Sequence, residues 1–129
     1  MMKKKMIVSV LSICAMLALS VPVSAAEAGY VGYRLPPLKG NNYTSFHKKV
    51  TNDDYITNVL ENLTNTSTAN FWAQDRSGSI SSKYNQKKGS TQRISFNTNK
   101  DKGNEIRMAM ENAKLSTGNA FAAGRVNFR

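Results

Sequence analysis

Turn-forming clusters recur at short intervals along residues 26–129, and they confine this sequence to short, mostly extended elements. Asn41-Asn42, Asn52-Asp53-Asp54, Arg76-Ser77-Gly78, Lys87-Lys88-Gly89-Ser90, residues 100–104 and residues 116–119 all carry loop chemistry. The runs between them are short, and many alternate apolar with polar side chains. Short alternating runs between turns point to an all-β antiparallel sandwich or barrel of about seven strands.

The alternation is clearest where Ile106, Met108 and Met110 share one face and Glu105, Arg107, Ala109 and Glu111 the other. Ile94 and Phe96 repeat it in the run 91–98. In the last run Phe121 and Ala123 are out of phase with Val126 and Phe128, so a β-bulge is expected at Gly124. Residues 69–75 read as a central strand with large side chains on both faces, and residues 79–85 pair back on it through the Gly78 turn. Val31, Tyr33 and Leu35 make a first strand that Pro36-Pro37 must end, because proline cannot donate to a ladder. Two segments fit a helix as well as a strand. Ile56, Val59, Leu60 and Leu63 have helical spacing, and residues 105–115 are rich in helix formers. Runs this short support either period, and we read both as strands.

The start of the chain carries an export signal. Lys3, Lys4 and Lys5 precede an apolar stretch over residues 6–19 that only Ser9 and Ser12 interrupt. Pro22 then breaks the stretch, and small residues follow it. Val23 and Ala25 allow cleavage before Ala26, while Ala26 and Ala28 allow it before Gly29. The stretch is shorter than the roughly 20 residues of a membrane-spanning helix. Cys14 lies inside it behind the bulky Ile13, which argues against lipid modification. Residues 1–25 are therefore expected to be a signal peptide and residues 26–129 a single β-rich extracellular domain.

That division decides the redox chemistry. Cys14 is the only cysteine, so the exported domain has no thiol, disulfide or cysteine ligand and must rely on core burial. All eleven aromatic residues lie beyond the leader and supply that core. The whole chain carries +10, and fifteen basic against eight acidic residues leave +7 beyond residue 25. Such a charge keeps a domain soluble, and it also draws an exported protein to anionic wall polymers and lipid head groups.

Catalytic and metal constellations are not assembled. His47, the only histidine, is followed by Lys48 and Lys49, and no carboxylate is placed to orient it as a base. One histidine does not make a zinc site. Ser81-Ser82-Lys83 hints at a serine–lysine hydrolase, but the required spacing puts Ile80 where the serine should stand. Asn97, Asn99 and Asp101 alternate like calcium ligands, yet Lys102 replaces the obligatory glycine and no glutamate falls at the twelfth position. Asp53-Asp54 is a pair in sequence only, and scattered acids do not converge across a cleft. No cofactor, metal or catalytic residue is expected.

Basic and aromatic residues interleave at Tyr43, Phe46, His47, Lys48 and Lys49, and again at Lys83, Tyr84, Lys87 and Lys88. Export directs this pattern away from nucleic acid. The candidate contacts to an anionic cell-wall polymer or membrane surface are Lys48, Lys49, Lys83, Lys87 and Lys88, with Trp72 and Tyr84 as candidate aromatic contacts.

With those strands laid out, the chain resembles a domain-of-unknown-function family of small secreted all-β proteins of Gram-positive bacteria. Phe71-Trp72, Lys88-Gly89-Ser90, Glu111-Asn112 and Ala123-Gly124-Arg125-Val126 carry the resemblance, which covers about the last 90 residues. Members often end in a longer acidic, tryptophan-bearing tail, whereas this sequence stops at Arg129. The resemblance implies an exported all-β domain and brings no catalytic residues with it.

The first expectation is thus a secreted, non-enzymatic domain that binds the cell envelope. A secreted antibacterial protein is the rival, but membrane-active peptides usually show a basic amphipathic helix, and here the lysines sit mainly in turns. A small hydrolase is the third reading. Intact-mass measurement of culture supernatant should find a chain that begins at Ala26 or Gly29. A full-length chain retained in the membrane would contradict export.

Overall fold

The computed structural model describes residues 27–129; the expected signal peptide, Cys14 and the expected cleavage site before Ala26 lie outside the described residues. Those residues form an all-β sandwich of two antiparallel sheets. In chain order the strands are β1 (Glu27–Leu35), β2 (Asn41–Tyr43), β3 (His47–Lys48), β4 (Tyr55–Thr64) and β5 (Thr68–Asp75). They continue with β6 (Gly78–Ser79), β7 (Tyr84–Lys87), β8 (Thr91–Ser95), β9 (Glu105–Asn112) and β10 (Ala120–Asn127). One sheet has the order β1-β10-β4-β8. The other has the order β2-β9-β5-β6, with β3 also on β9 and β7 also on β5.

Ten strands stand where about seven were expected, and two of the additional ones arise because two edges are broken into pieces. β2 and β3 lie end to end along β9, and β6 and β7 lie end to end along β5. Both ambiguous segments are strands, β4 and β9. The helical spacing in β4 arises from a bulge. Gly124 pairs with Leu60 and Ala123 with Asn62, so Glu61 is an extra residue without a rung. Ile56, Asn58 and Leu60 point inward before it, and Leu63 points inward after it.

That bulge corrects the expectation for the last strand. β10 keeps one phase throughout, with Ala120, Ala122, Gly124 and Val126 facing in and Phe128 continuing the pattern, while Phe121 faces out. The phase change belongs to β4. β1 departs in a similar way, because a bulge at Val31-Gly32 makes Tyr30 and Leu35 the inward residues and leaves Val31 86% exposed. Gly32 takes φ +62°, which a bulge of this kind asks of glycine.

β9 is central and buried on both faces. Ile106, Met108 and Met110 pack into the core, and Ala109 and Glu111 are covered on the other side. β5 places Phe71 in the core and Trp72 on the opposite face, as its sequence suggests. A polar chain crosses the core from one sheet to the other. Tyr30 Oη donates to Asn58 Oδ1 at 2.8 Å, and Asn58 Nδ2 donates to Gln86 Oε1 at 2.8 Å. Gln86 Nε2 returns to Asn58 O and to Ser90 O, both at 3.3 Å. Burial pushes the Tyr30 phenol well above its ordinary pKa, so it stays a donor.

Gly124 makes that arrangement possible. A Cβ there would strike the Val59 carbonyl oxygen and sit 2.7 Å from Tyr30 Oη. The carbonyl is main chain in a paired strand and has nowhere to go. Gly124→Ala should therefore destabilise the domain by about 3 kcal/mol, read from urea unfolding. An unchanged midpoint would show that Tyr30 does not need the space.

Candidate functional site

Antiparallel strands deliver their connections to two ends. The segments 36–40, 65–67, 88–90 and 113–119 gather at the end where β9 finishes at Asn112. Hydrogen bonds tie three of them together: Leu38 N donates to Ser116 O at 2.7 Å, and Asn65 Nδ2 donates to Asn119 O at 3.2 Å; the 88–90 turn is held separately, by Gly89 N on Leu60 O at 2.7 Å. Arg34, Lys39, Lys83, Lys87, Lys88 and Lys114 belong to this end, with two acids: Glu111, and Glu61, which follows the Leu60 that bonds Gly89 and Ser90 and lies 3.6 Å from Arg125. The opposite end holds Lys48, Lys49, Arg76, Lys100, Lys102 and Arg129 against Asp53, Asp54, Asp75, Asp101 and Glu105. The net charge of the domain is thus concentrated at the Asn112 end.

Ion pairing sharpens the contrast. At the opposite end Lys100 meets Asp75 at 2.7 Å, Arg129 meets Asp53 at 3.0 Å and Arg76 meets Glu105 at 3.1 Å. Asp54 accepts the Lys100 amide at 2.7 Å, so Asp53 and Asp54 serve different partners. At the Asn112 end Glu111 is buried, with Lys83 Nζ 2.8 Å from one oxygen and Asn70 Nδ2 2.9 Å from the other. Its carboxylate is spent inside the fold. Among the described residues Arg34, Lys39, Lys87, Lys88 and Lys114 enter no ion pair.

The lysines expected from sequence do not form one patch. Lys83, Lys87 and Lys88 stand at the Asn112 end. Lys48 pairs with Glu105 at the start of β9, roughly 25 Å along the sheet from Lys87 at about 3.3 Å per residue. That separation exceeds the screening length of about 8 Å. Lys49 is not a surface contact: it is 2% exposed, and its Nζ donates to the Arg129 carbonyl at 3.3 Å. Burial lowers its pKa, against the opposing pull of Asp53 and Asp54.

The aromatic candidates are also occupied. Trp72 is 3% exposed, with the Lys83 ammonium 4.6 Å from its ring centre. Tyr84 packs against the core, and its hydroxyl accepts the Ser95 amide at 3.3 Å. Arg34, Lys39 and Lys114 escaped notice because each lies alone in sequence, and only the fold brings their segments together.

The remaining chemical candidates have structural employment. Ser81 Oγ accepts the Ala73 amide at 2.8 Å and donates to Ser82 O at 2.9 Å, filling a gap in the ladder between β6 and β7. His47 stacks on Phe128 with ring centres 4.4 Å apart. Among the described residues no group of three His, Cys, Asp or Glu is placed to hold a metal ion. Asn99 and the Lys100 amide both donate to Asp54, and Lys100 Nζ lies on Asp75.

No family model matches the chain, and no curated protein matches it in sequence. Several solved structures are distantly similar. FLHE has 10% identity and a TM-score of 0.47, over 78% of this chain and 88% of that one. The Yersinia pseudotuberculosis-derived mitogen has 13% identity and a TM-score of 0.45, over 76% of this chain and 83% of that one. The CBM36-1 domain of a multidomain xylanase from the hindgut metagenome of Trinervitermes trinervoides has 12% identity and a TM-score of 0.44, over 78% and 94%. Nothing about the role of this chain rests on them.

The buried acid gives the site a pH signature. Burial works to raise the Glu111 pKa, but the hydrogen bonds and charge of Lys83 and Asn70 outweigh it and hold the carboxyl below its ordinary value of 4.5. Arg129 likewise lowers Asp53, and Lys100 lowers Asp75. A depressed folded-state pKa adds stability above the ordinary value that is lost as pH falls through the folded one. Unfolding free energy should therefore drop below pH 4.5, with a shallower slope for Glu111→Gln. Parallel slopes for the two proteins would contradict the ionised, paired Glu111.

Proposed function

We propose that this chain is a secreted, non-enzymatic binding domain that docks on an anionic component of the cell envelope through its Asn112 end. The observation that carries this reading is the charge segregation. Five cations without an ion-pair partner share the Asn112 end with two acids, Glu111, which is buried on Lys83, and Glu61, which pairs with Arg125 at 3.6 Å. The opposite end, with almost as many acids as cations, is largely self-neutralised. A field of one sign at one end of a small domain orients it towards a polyanion and speeds encounter.

The serine, histidine and acidic residues that an enzyme would draw on are engaged in backbone, stacking and ion-pair contacts, which favours binding over catalysis. Export is part of the proposal. Cleavage before Ala26 leaves β1 whole, whereas cleavage before Gly29 removes the Glu27–Asn127 and Ala28–Val126 rungs and the 2.9 Å Glu27–Arg125 pair. Ala26 is the start that the domain favours.

Isolated cell envelopes, wall and membrane together, should retain the exported protein, and retention should fall steeply as salt rises. Lys87→Gln with Lys88→Gln should weaken retention roughly tenfold without unfolding the domain, since turn lysines add little to a core. Lys48→Gln at the other end should leave it unchanged. Equal losses from both ends, or retention indifferent to salt, would overturn the proposal.

A further inference from the structure

The Asn112 end carries more than charge. Leu38 is 62% exposed and Leu115 is 73% exposed, two of the five large apolar side chains left in solvent among the described residues. They sit on adjacent segments, 36–40 and 113–119, which the 2.7 Å bond from Leu38 N to Ser116 O holds together. Lys39 follows Leu38 and Lys114 precedes Leu115, so each leucine has a cation beside it. No acid lies in either segment.

The backbone presenting Leu38 is unusual. Gly40 N bonds Pro37 O at 3.2 Å, closing a turn whose central residues Leu38 and Lys39 have φ of 59° and 58°. Both central residues at positive φ is the pattern of a type I′ turn, which Asn and Gly occupy far more comfortably than Leu or Lys. A branched apolar residue held at a strained loop tip, pointing to water, is a feature that folding alone does not require. Exposed leucines flanked by lysines match the two layers of a membrane interface, apolar acyl boundary and anionic head groups. A soluble wall polymer offers only the second.

We infer that the Asn112 end docks on an anionic lipid bilayer, with Leu38 and Leu115 entering the interface and Lys39, Lys87, Lys88 and Lys114 on the head groups. The inference rests on the proposed envelope binding and names its target as the membrane rather than the wall. Insertion of two loop tips needs no change in the sandwich, since neither leucine contributes to the core.

The test uses exported protein purified from culture medium, with three probes: vesicles of phosphatidylcholine alone, vesicles of phosphatidylcholine with phosphatidylglycerol, and membrane-free cell walls. The protein should sediment with the anionic vesicles and hardly at all with the neutral ones. Leu38→Asn with Leu115→Ser should reduce vesicle binding about tenfold while leaving the salt-dependent, charge-driven part intact. Because Asn suits positive φ, this variant should fold at least as well as the parent, and circular dichroism will show it. Separately, Leu115→Cys labelled with an environment-sensitive dye should shift to the blue on anionic vesicles. Vesicle binding that is unchanged by the leucine substitutions, with no dye shift, would overturn the inference. Binding to membrane-free walls with none to vesicles would also overturn it and leave envelope binding standing on a polymer. Failure to bind envelopes, walls and vesicles alike would remove both.

Discussion

The hydrogen-bond chain from Tyr30 through Asn58 to Gln86 fixes how the two sheets face each other. Apolar packing brings the sheets together but is indifferent to small slips, whereas buried polar groups must find their partners at one geometry. Tyr30 belongs to β1, Asn58 to β4 and Gln86 to β7, so the chain spans both sheets. Its last member also bonds Ser90, with Nε2 3.2 Å from the Ser90 hydroxyl. The Lys87-Lys88-Gly89-Ser90 turn is thereby held by the core, and its two lysines are displayed from a fixed base. Gly124, on β10 between β1 and β4, yields space to the Tyr30 ring and so lets the tyrosine reach Asn58 across it.

Charge placement follows from that frame. Strands running in alternate directions sort their connections into two sets, and each set carries its own residues to one end of the sandwich. Five of the eight acids arrive at the opposite end, and three of them, Asp53, Asp75 and Glu105, meet cations there. The Asn112 end receives lysines with little to balance them. Surface pairs of this kind add little stability individually. Their effect here is on the field: they cancel charge at one end and leave a net positive field at the other.

Much of the architecture was legible because it depends on local chemistry. Pro36-Pro37 ends β1, Gly78 turns β5 back on itself, and the Ile106-Met108-Met110 alternation marks the core face of β9. The bulge was misassigned for a long-range reason. Gly124 is required by a tyrosine from the other terminus of the domain, while the residue that breaks the alternation is Glu61, which has no distinguishing chemistry. The candidate site was half legible. Lys87 and Lys88 stand out as a turn, but Lys48 and Lys49 look alike in sequence and differ in the fold, since neighbours along an extended chain face opposite ways. Placing Lys39 and Lys114 beside them requires knowing which connections reverse the chain. The links β2 to β3 and β6 to β7 do not, so counting strands from the sequence assigns loops to the wrong end.

Amide chemical-shift mapping of the domain, titrated with anionic lipid bicelles, tests the central claim most directly. The account predicts that perturbations concentrate in residues 36–40, 87–90 and 113–119 and that residues 48–54 and 96–104 stay silent. Perturbations centred on residues 96–104, or on the sheet face around Trp72, would contradict the assignment of the Asn112 end as the binding surface.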